Sequence, residues 1–207
     1  MDNMKIVLMS QLNETQIEKA ISIYIEGFYH ILKLMSKDKA KLISFHKACI
    51  MKDMVYVCLY DDEAVGILAL ETFGKSPVKI KKEVCVEHFG KLKGSIAANQ
   101  MKSAMVKPKV KDKDSAHIEF IAADPNLRGK GIGSAMIKYM RDNLNYKYLT
   151  LEVLTKNPRA RRLYERLGFV KVRSYFNAGA FFAGFGIPEF MRLDCKASEP
   201  KETAHVR

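Results

Sequence analysis

Residues 118–134 have the sequence IEFIAADPNLRGKGIGS, in which a hydrophobic run leads through a short polar loop into a glycine-rich turn. Apolar residues then recur at helical spacing, at Ile132, Ala135, Met136, Tyr139 and Met140. The glycines therefore lie at a helix N-terminus, where the first amides lack internal partners and the helix dipole favours an anion. Glycine also permits positive φ angles and close approach of a bulky ligand. The stretch predicts a strand over 117–123, a turn that binds pyrophosphate, and a helix over 131–143.

Two better-known phosphate motifs are excluded by the spacing of this turn. A P-loop requires GxxxxGK followed by Ser or Thr, and the dinucleotide fingerprint requires GxGxxG. This turn has glycines only at positions 129, 131 and 133. Because a glycine turn alone also occurs at helix starts that bind no ligand, the interpretation as a pyrophosphate site depends on a second motif downstream.

That second motif begins with the LEV that ends the next predicted strand. Asn157 can cap the following helix, and Gly168 stops it before another strand begins. With both motifs in this order, residues 117–175 closely resemble the GNAT superfamily of N-acetyltransferases. The resemblance rests on RxxGxG at 128–133 and on the LEV, N, A, LYE and GF series from 151 to 169. The first 70 residues resemble the family only in their order of strand, helices and hairpin.

The resemblance implies an α/β fold with a mixed, mostly antiparallel central sheet of about seven strands. The sheet is expected to splay between strands four and five and to be flanked by helices. Hydrophobic periodicity predicts matching elements. The predicted strands cover residues 4–9, 54–60, 64–70, 117–123, 147–154, 169–175 and 189–194. One predicted helix begins at a capping box formed by Asn13 and Gln16. Further predicted helices cover residues 38–50, 131–143 and 158–167.

A single acyl-CoA N-acyltransferase domain is predicted over residues 1–195, followed by a polar tail, 196–207, that we expect to be disordered. A lysine-rich insertion, 71–115, separates the third and fourth predicted strands. Near-helical spacing of apolar residues predicts a helix over 87–105 within it. We expect a mobile basic loop over 107–113 to follow.

The resemblance also implies acetyl-CoA as co-substrate, together with its contacts. Backbone groups of Ile121, Ala122 and Ala123 would hold the pantetheine arm, which would add to the sheet like an extra strand at the splay. Asn157 would hydrogen-bond the pantetheine side. The pyrophosphate would be held by the turn, formed by Arg128, Gly129, Lys130, Gly131, Ile132, Gly133 and Ser134.

Transfer of an acetyl group from a thioester to an amine requires a base, an oxyanion donor and an acid for the leaving thiolate. The resemblance places Tyr164 near the thioester sulfur as the candidate acid, although a tyrosine on an apolar helix face is also common in a core. The backbone amide near Ala123 is the candidate oxyanion donor. Glu119 is the favoured base, with Glu152 and His117 as alternatives, because all three lie on the central strands beside the splay.

Composition bears on the other classes of function. The net charge is +12 and the lysines are scattered, so a nucleic-acid partner is not expected. Four cysteines without a CxxC pair and five histidines without HxxxH spacing predict no metal site. The first residues resemble neither a signal peptide nor a membrane span, so we expect a cytoplasmic protein.

Several questions about partners stay open at the level of sequence. The acceptor is expected to be a small-molecule or peptide amine whose identity the residues do not reveal. The aromatic, glycine-rich stretch 176–186 is a candidate wall of the acceptor pocket, or else a contact with the core or with the second subunit of a homodimer. The alternatives to an enzyme are a non-catalytic acyl-CoA-binding regulator and a basic nucleic-acid-binding module.

Overall fold

The computed structural model describes residues 3–92, 94–96, 98–99 and 108–195, whose strands form one sheet in the order β1-β2-β3-β4-β5-β7-β6. The strands are β1 (Met4–Leu8), β2 (Val55–Tyr60), β3 (Glu63–Glu71), β4 (Ser115–Ala123), β5 (Tyr148–Leu154), β6 (Val170–Ser174) and β7 (Pro188–Asp194). All neighbouring strands are antiparallel except β4 and β5, which are parallel. The predicted mixed, mostly antiparallel sheet of seven strands is confirmed.

Besides the helical residues within 91–99, six α-helices accompany the sheet within the described residues. They are α1 (Glu14–Leu32), α2 (Lys39–Cys49), α3 (Lys82–Phe89), α4 (Ile132–Asn143), α5 (Pro158–Arg166) and α6 (Ala178–Phe182). Helix α1 begins at the predicted capping box. The Asn13 side chain accepts from the Gln16 amide at 2.9 Å, and the Gln16 side chain accepts from the Asn13 amide at 3.2 Å. These reciprocal bonds satisfy two amides that the helix itself leaves unpaired.

Helices pack on both faces of the sheet. On one face, α4 and α5 cover a core that includes Met136 and Leu151, both fully buried. On the other face, α1 and α2 cover a second core that includes Ile21 and Ile67. The strands between these layers are therefore apolar on both sides, as their nearly continuous hydrophobic sequences predict.

Strands β4 and β5 separate soon after they begin. They pair only from Ser115 opposite Tyr148 to Ile118 opposite Leu151, although both strands continue beyond these positions. Next to the point of separation, β4 has a bulge. Ala69 of β3 pairs with Phe120 and Leu70 pairs with Ile118, so Glu119 is an extra residue. The predicted splay between strands four and five is confirmed.

The predicted helix over 87–105 is wrong at its start. Helix α3 already begins at Lys82 and ends at Phe89, and it is followed by Gly90, whose φ angle is +80°. Only glycine adopts this left-handed conformation readily, so the chain turns here instead of continuing one helix. The described residues between 91 and 99 are helical again, while 100–105 lie outside the described residues.

The basic loop before β4 is anchored where the structure describes it. The backbone amides of Lys109 and Val110 both donate to Glu71 Oε1, at 2.6 and 3.1 Å, and Val110 is buried. The expectation of a mobile loop over 107–113 is therefore wrong for these two residues, because a buried carboxylate at the end of β3 holds them. Lys107 and the predicted tail, 196–207, lie outside the described residues.

Candidate active site

A cleft of about 560 Å³ opens where β4 and β5 separate. It runs from the glycine turn before α4, between the two strands, to the end of α1. All the residues predicted to hold the cofactor line it except Lys130, which is exposed. These lining residues are Ile121, Ala122, Ala123, Arg128, Gly129, Gly131, Ile132, Gly133, Ser134 and Asn157. The fold thus brings two separate sequence motifs to one place.

The glycine turn leaves the start of α4 open. Gly129 and Gly131 have φ angles of +82° and +79°, and no described side chain caps the helix at Gly131. The preceding loop is fixed by Asp124, whose carboxylate accepts from the Asn126 amide at 2.9 Å and pairs with Lys19 at 3.2 Å. The first amides of α4 therefore face the cleft on a fixed turn, an arrangement that suits the binding of a phosphate group.

The main chain of β4 adds further donors inside the splay. The Asp124 amide donates to the Val65 carbonyl of β3 at 2.9 Å. Because amides of successive residues in a strand point to opposite sides, the Ala123 amide points away from β3 and into the gap left by β5. An extended ligand that entered this gap would therefore meet a main-chain donor where the sheet lacks a strand.

Asn157 and Tyr164 extend from the start and the middle of α5. The Asn157 side-chain oxygen caps the helix by accepting from the Ala160 amide at 3.2 Å, so its NH₂ group stays free to donate. Tyr164 lines the cleft with only 8% of its surface exposed, and its hydroxyl forms no hydrogen bond with the described residues. Burial raises the pKa of Tyr164 to about 12. The hydroxyl therefore keeps its proton throughout the physiological range.

Two glutamates on adjacent strands lie at the opposite end of the cleft. Glu119 comes from the bulge of β4 and Glu152 from β5, and both line the cleft. Lys109 of the anchored loop lies 2.9 Å from Glu119 Oε2 and 3.7 Å from Glu152 Oε2. Tyr175, just after β6, donates its hydroxyl to Glu152 Oε1 at 2.8 Å. Burial disfavours the charged form of Lys109, but the carboxylates of Glu119 and Glu152 outweigh it and raise the pKa of the ammonium.

His117 is fully buried below this pair. Its Nδ1 is 2.9 Å from the Thr150 hydroxyl oxygen, and that hydroxyl donates to the Ala116 carbonyl at 3.2 Å. The Thr150 oxygen must therefore accept from Nδ1–H, which leaves Nε2 without a proton and without a partner among the described residues. Burial, reinforced by the Lys109 ammonium, lowers the pKa of His117 to about 3. Such a weakly basic ring is a poor candidate for the catalytic base.

Sequence reasoning did not find several residues of the site. Lys109 and Tyr175 contact the carboxylates but belong to no motif. The end of α1 also lines the cleft, where a Cβ on Gly27 would lie 3.0 Å from that of Ala122. His30 of α1 contacts Phe185 in the loop before β7, with ring centroids 5.4 Å apart. The small residues Gly27 and Ala122, which lie where α1 crosses β4, could have indicated this contact from the sequence. The other contacts have no such signal in the sequence.

Three arginines are among the residues that line the cleft. Arg159 and Arg166 of α5 line the cleft together with Arg128 of the turn. Guanidinium groups bind phosphate oxygens well, so these three side chains match the chemistry of a phosphate-rich ligand. Among the described residues, no cluster of three or more acidic, histidine or cysteine side chains could hold a metal ion. No described helix is long and apolar enough to cross a membrane.

Comparisons with known proteins agree with this geometry. Residues 25–169 match the model of the acetyltransferase (GNAT) family. An uncharacterized N-acetyltransferase of Methanocaldococcus jannaschii is 39% identical over 62 residues, which cover 28% of this chain and 40% of that relative. The chain thus spans about two fifths of the length of the curated relative that it matches.

Solved structures show the same fold at low sequence identity. One is a histone acetyltransferase HPA2 and related acetyltransferase from Corynebacterium glutamicum, with a TM-score of 0.61, 20% identity, and coverage of 92% of this chain and 94% of that one. Another is the Salmonella typhimurium protein yncA, solved with its cofactor acetyl-CoA. Its TM-score is 0.56 at 14% identity, with coverage of 97% and 99%.

Proposed function

Because the chain belongs to the acetyltransferase (GNAT) family, we propose that it transfers the acetyl group of acetyl-CoA to a primary amine by direct transfer while both substrates are bound. One observation carries this proposal. A single cleft has an uncapped helix N-terminus with two left-handed glycines at one end and a pair of carboxylates at the other. The first end suits a diphosphate and the second suits an amine.

The chain's own groups account for binding of the cofactor. The amides of the turn from Arg128 to Ser134 hold the pyrophosphate, and the free NH₂ of Asn157 donates to the pantetheine arm. That arm lies along residues 121–123, where β5 has left the edge of β4 open. The presence of acetyl-CoA in the Salmonella protein of the same fold supports this choice of ligand.

The remaining residues act on the amine and on the leaving group. Glu119 accepts a proton from the acceptor amine, which must be neutral to attack a carbonyl carbon. The Ala123 amide, pointing into the gap, donates to the oxygen on which negative charge develops. Tyr164, still protonated at neutral pH, donates to the departing sulfur. Close placement of the amine and the thioester supplies a further part of the rate.

Binding and turnover together test this proposal. Calorimetry with coenzyme A is expected to give a measurable heat of binding, accompanied by a higher melting temperature. A thiol-release assay with acetyl-CoA and a panel of amines, including lysine peptides and peptides with free N-termini, is expected to find at least one acceptor. If neither heat nor a change in melting were seen with coenzyme A, the proposed function would be wrong.

Acetyl-CoA turnover by the wild type separates an enzyme from a protein that only senses acyl-CoA, and the Tyr164→Phe variant then tests the role of the hydroxyl. It removes the hydroxyl but keeps the ring that packs against Phe169, with centroids 5.9 Å apart. In an enzyme, kcat should fall by about a hundredfold while the dissociation constant of coenzyme A stays the same. Thiol release at the wild-type rate would show that the hydroxyl is a core group without a role in the reaction.

A further inference from the structure

Lys109 does not line the cleft, yet it is bound to both carboxylates that do. Its ammonium lies 2.9 Å from Glu119 Oε2 and 3.7 Å from Glu152 Oε2. The side chains of Glu119 and Glu152 are only 26% and 24% exposed. Because solvent screens such a cluster less than a surface pair, the ammonium restrains the carboxylates more strongly than an exposed lysine would.

The contacts leave different oxygens available on the two carboxylates. Glu152 accepts from the Tyr175 hydroxyl through Oε1 and faces Lys109 through Oε2. Glu119 is engaged through Oε2 alone, and no described residue binds its Oε1. Glu119 is therefore the member of the pair with a free oxygen for a proton from the acceptor.

Glu71 fixes the backbone that carries this lysine. Its Oε1 accepts from the amides of Lys109 and Val110, and all three positions belong to the lysine-rich segment 71–115. Glu71 and Val110 are both buried. The hydrogen bonds from the amides of Lys109 and Val110 to the buried Glu71 carboxylate thus hold the Lys109 ammonium at a defined place.

We propose that Lys109 is a positioning residue for Glu119, and that it holds Oε2 so that Oε1 stays available to the acceptor. The lysine-rich segment then contributes a side chain that orients Glu119 at the acceptor end of the cleft without lining the cleft itself. This inference rests on the proposed acetyl transfer and on Glu119 as its base.

Lys109→Met tests this role, with Lys111→Met as the matched control, because both remove one positive charge from the same loop. Loss of a charged hydrogen bond predicts that Lys109→Met lowers kcat/KM for the acceptor amine by about ten- to hundredfold. The KM for acetyl-CoA should not change. Lys111→Met should match the wild type, and Lys109→Arg should recover part of the loss.

A second variant keeps the lysine and releases its backbone. Glu71→Leu removes the acceptor of both amides and is expected to lower kcat/KM in the same way, at unchanged affinity for coenzyme A measured by calorimetry. Wild-type kinetics in Lys109→Met, or an equal loss in Lys111→Met, would overturn the positioning role. Mass spectrometry that found Lys109 acetylated in every molecule would also overturn it, because the lysine would then be an acceptor. Failure of the wild type to bind coenzyme A would instead contradict the proposed function, and this inference with it.

Discussion

The two ends of the cleft are built from different parts of the polypeptide. The end that we propose binds the cofactor consists mainly of main-chain amides from one continuous stretch, the turn before α4 and the adjoining end of β4. The end that we propose binds the acceptor is formed by Glu119 and Glu152, which line the cleft, and by Lys109 and Tyr175, which contact them from segments far apart in sequence. A backbone site requires glycines at fixed spacing, whereas a side-chain site can be assembled from many combinations of residues. The first end should therefore control binding of the cofactor, and the second should control turnover.

The largest difference in kcat is expected between variants of the two glutamates. Glu119→Gln should lower kcat by about a hundred- to a thousandfold, because it removes the free carboxylate oxygen that accepts the proton. Glu152→Gln should lower kcat much less, since Glu152 already uses both oxygens on Tyr175 and Lys109. Steady-state kinetics with a saturating amine would measure both. A larger loss in Glu152→Gln would assign the base to β5 instead of β4.

An intermediate effect is expected at the cofactor end. Gly131 has a φ angle of +79°, so Gly131→Ala should force the turn to shift and weaken binding of coenzyme A by about tenfold. Gly74→Ala is the matched control, because Gly74 also has a positive φ angle, +71°, but does not line the cleft. A Cβ at Gly74 would meet no atom within 4 Å. Calorimetry should show an altered affinity only for Gly131→Ala, and equal affinities in the two variants would argue against a site made of backbone amides.

The last prediction concerns the stability of the fold near the acceptor end and not the activity. Folded His117 stays neutral down to a pH of about 3, while an unfolded histidine is protonated near its ordinary pKa of about 6.5. The unfolded chain thus binds more protons between these values. The free energy of unfolding should therefore fall as the pH is lowered from about 6.5 towards 3, by up to about 1.4 kcal/mol per pH unit.

Urea unfolding over this pH range would measure the contribution of His117. His117→Asn is expected to flatten the slope even if it also lowers stability at neutral pH. A slope as steep as that of the wild type would show that other groups cause the loss of stability in acid.

The contrast between the two ends of the cleft also explains which features could be predicted from the sequence. The strand, turn and helix around Gly131 follow from local rules, because glycine spacing, helical periodicity and capping all act within a few residues. The capping box at Asn13 and the positions of the strands along the chain were predictable for the same reason. The amino-acid sequence alone was thus sufficient to predict the fold and the position of the glycine turn at the start of α4.

The acceptor end depends on long-range contacts that no local rule describes. Lys109 is one of many lysines in its segment, and hydrogen bonds from the amides of Lys109 and Val110 to Glu71, 38 and 39 residues away, hold it beside Glu119. The break at Gly90 was missed because the apolar spacing on both sides of it suggested one helix. His117, an alternative base in the sequence analysis, is fully buried, and Phe190 of β7 stacks on its ring with centroids 5.8 Å apart.

The short pairing of β4 with β5 links ligand occupancy to the integrity of the sheet. Only four residue pairs, from Ser115–Tyr148 to Ile118–Leu151, join the first four strands directly to the last three. A ligand lying in the gap would span both halves and supply main-chain bonds that the polypeptide itself omits. At a concentration about a hundred times its dissociation constant, such a ligand would add about 2.7 kcal/mol to the free energy of unfolding. The concentration of the acyl donor in the cell would then influence the stability of the folded protein as well as its rate of turnover.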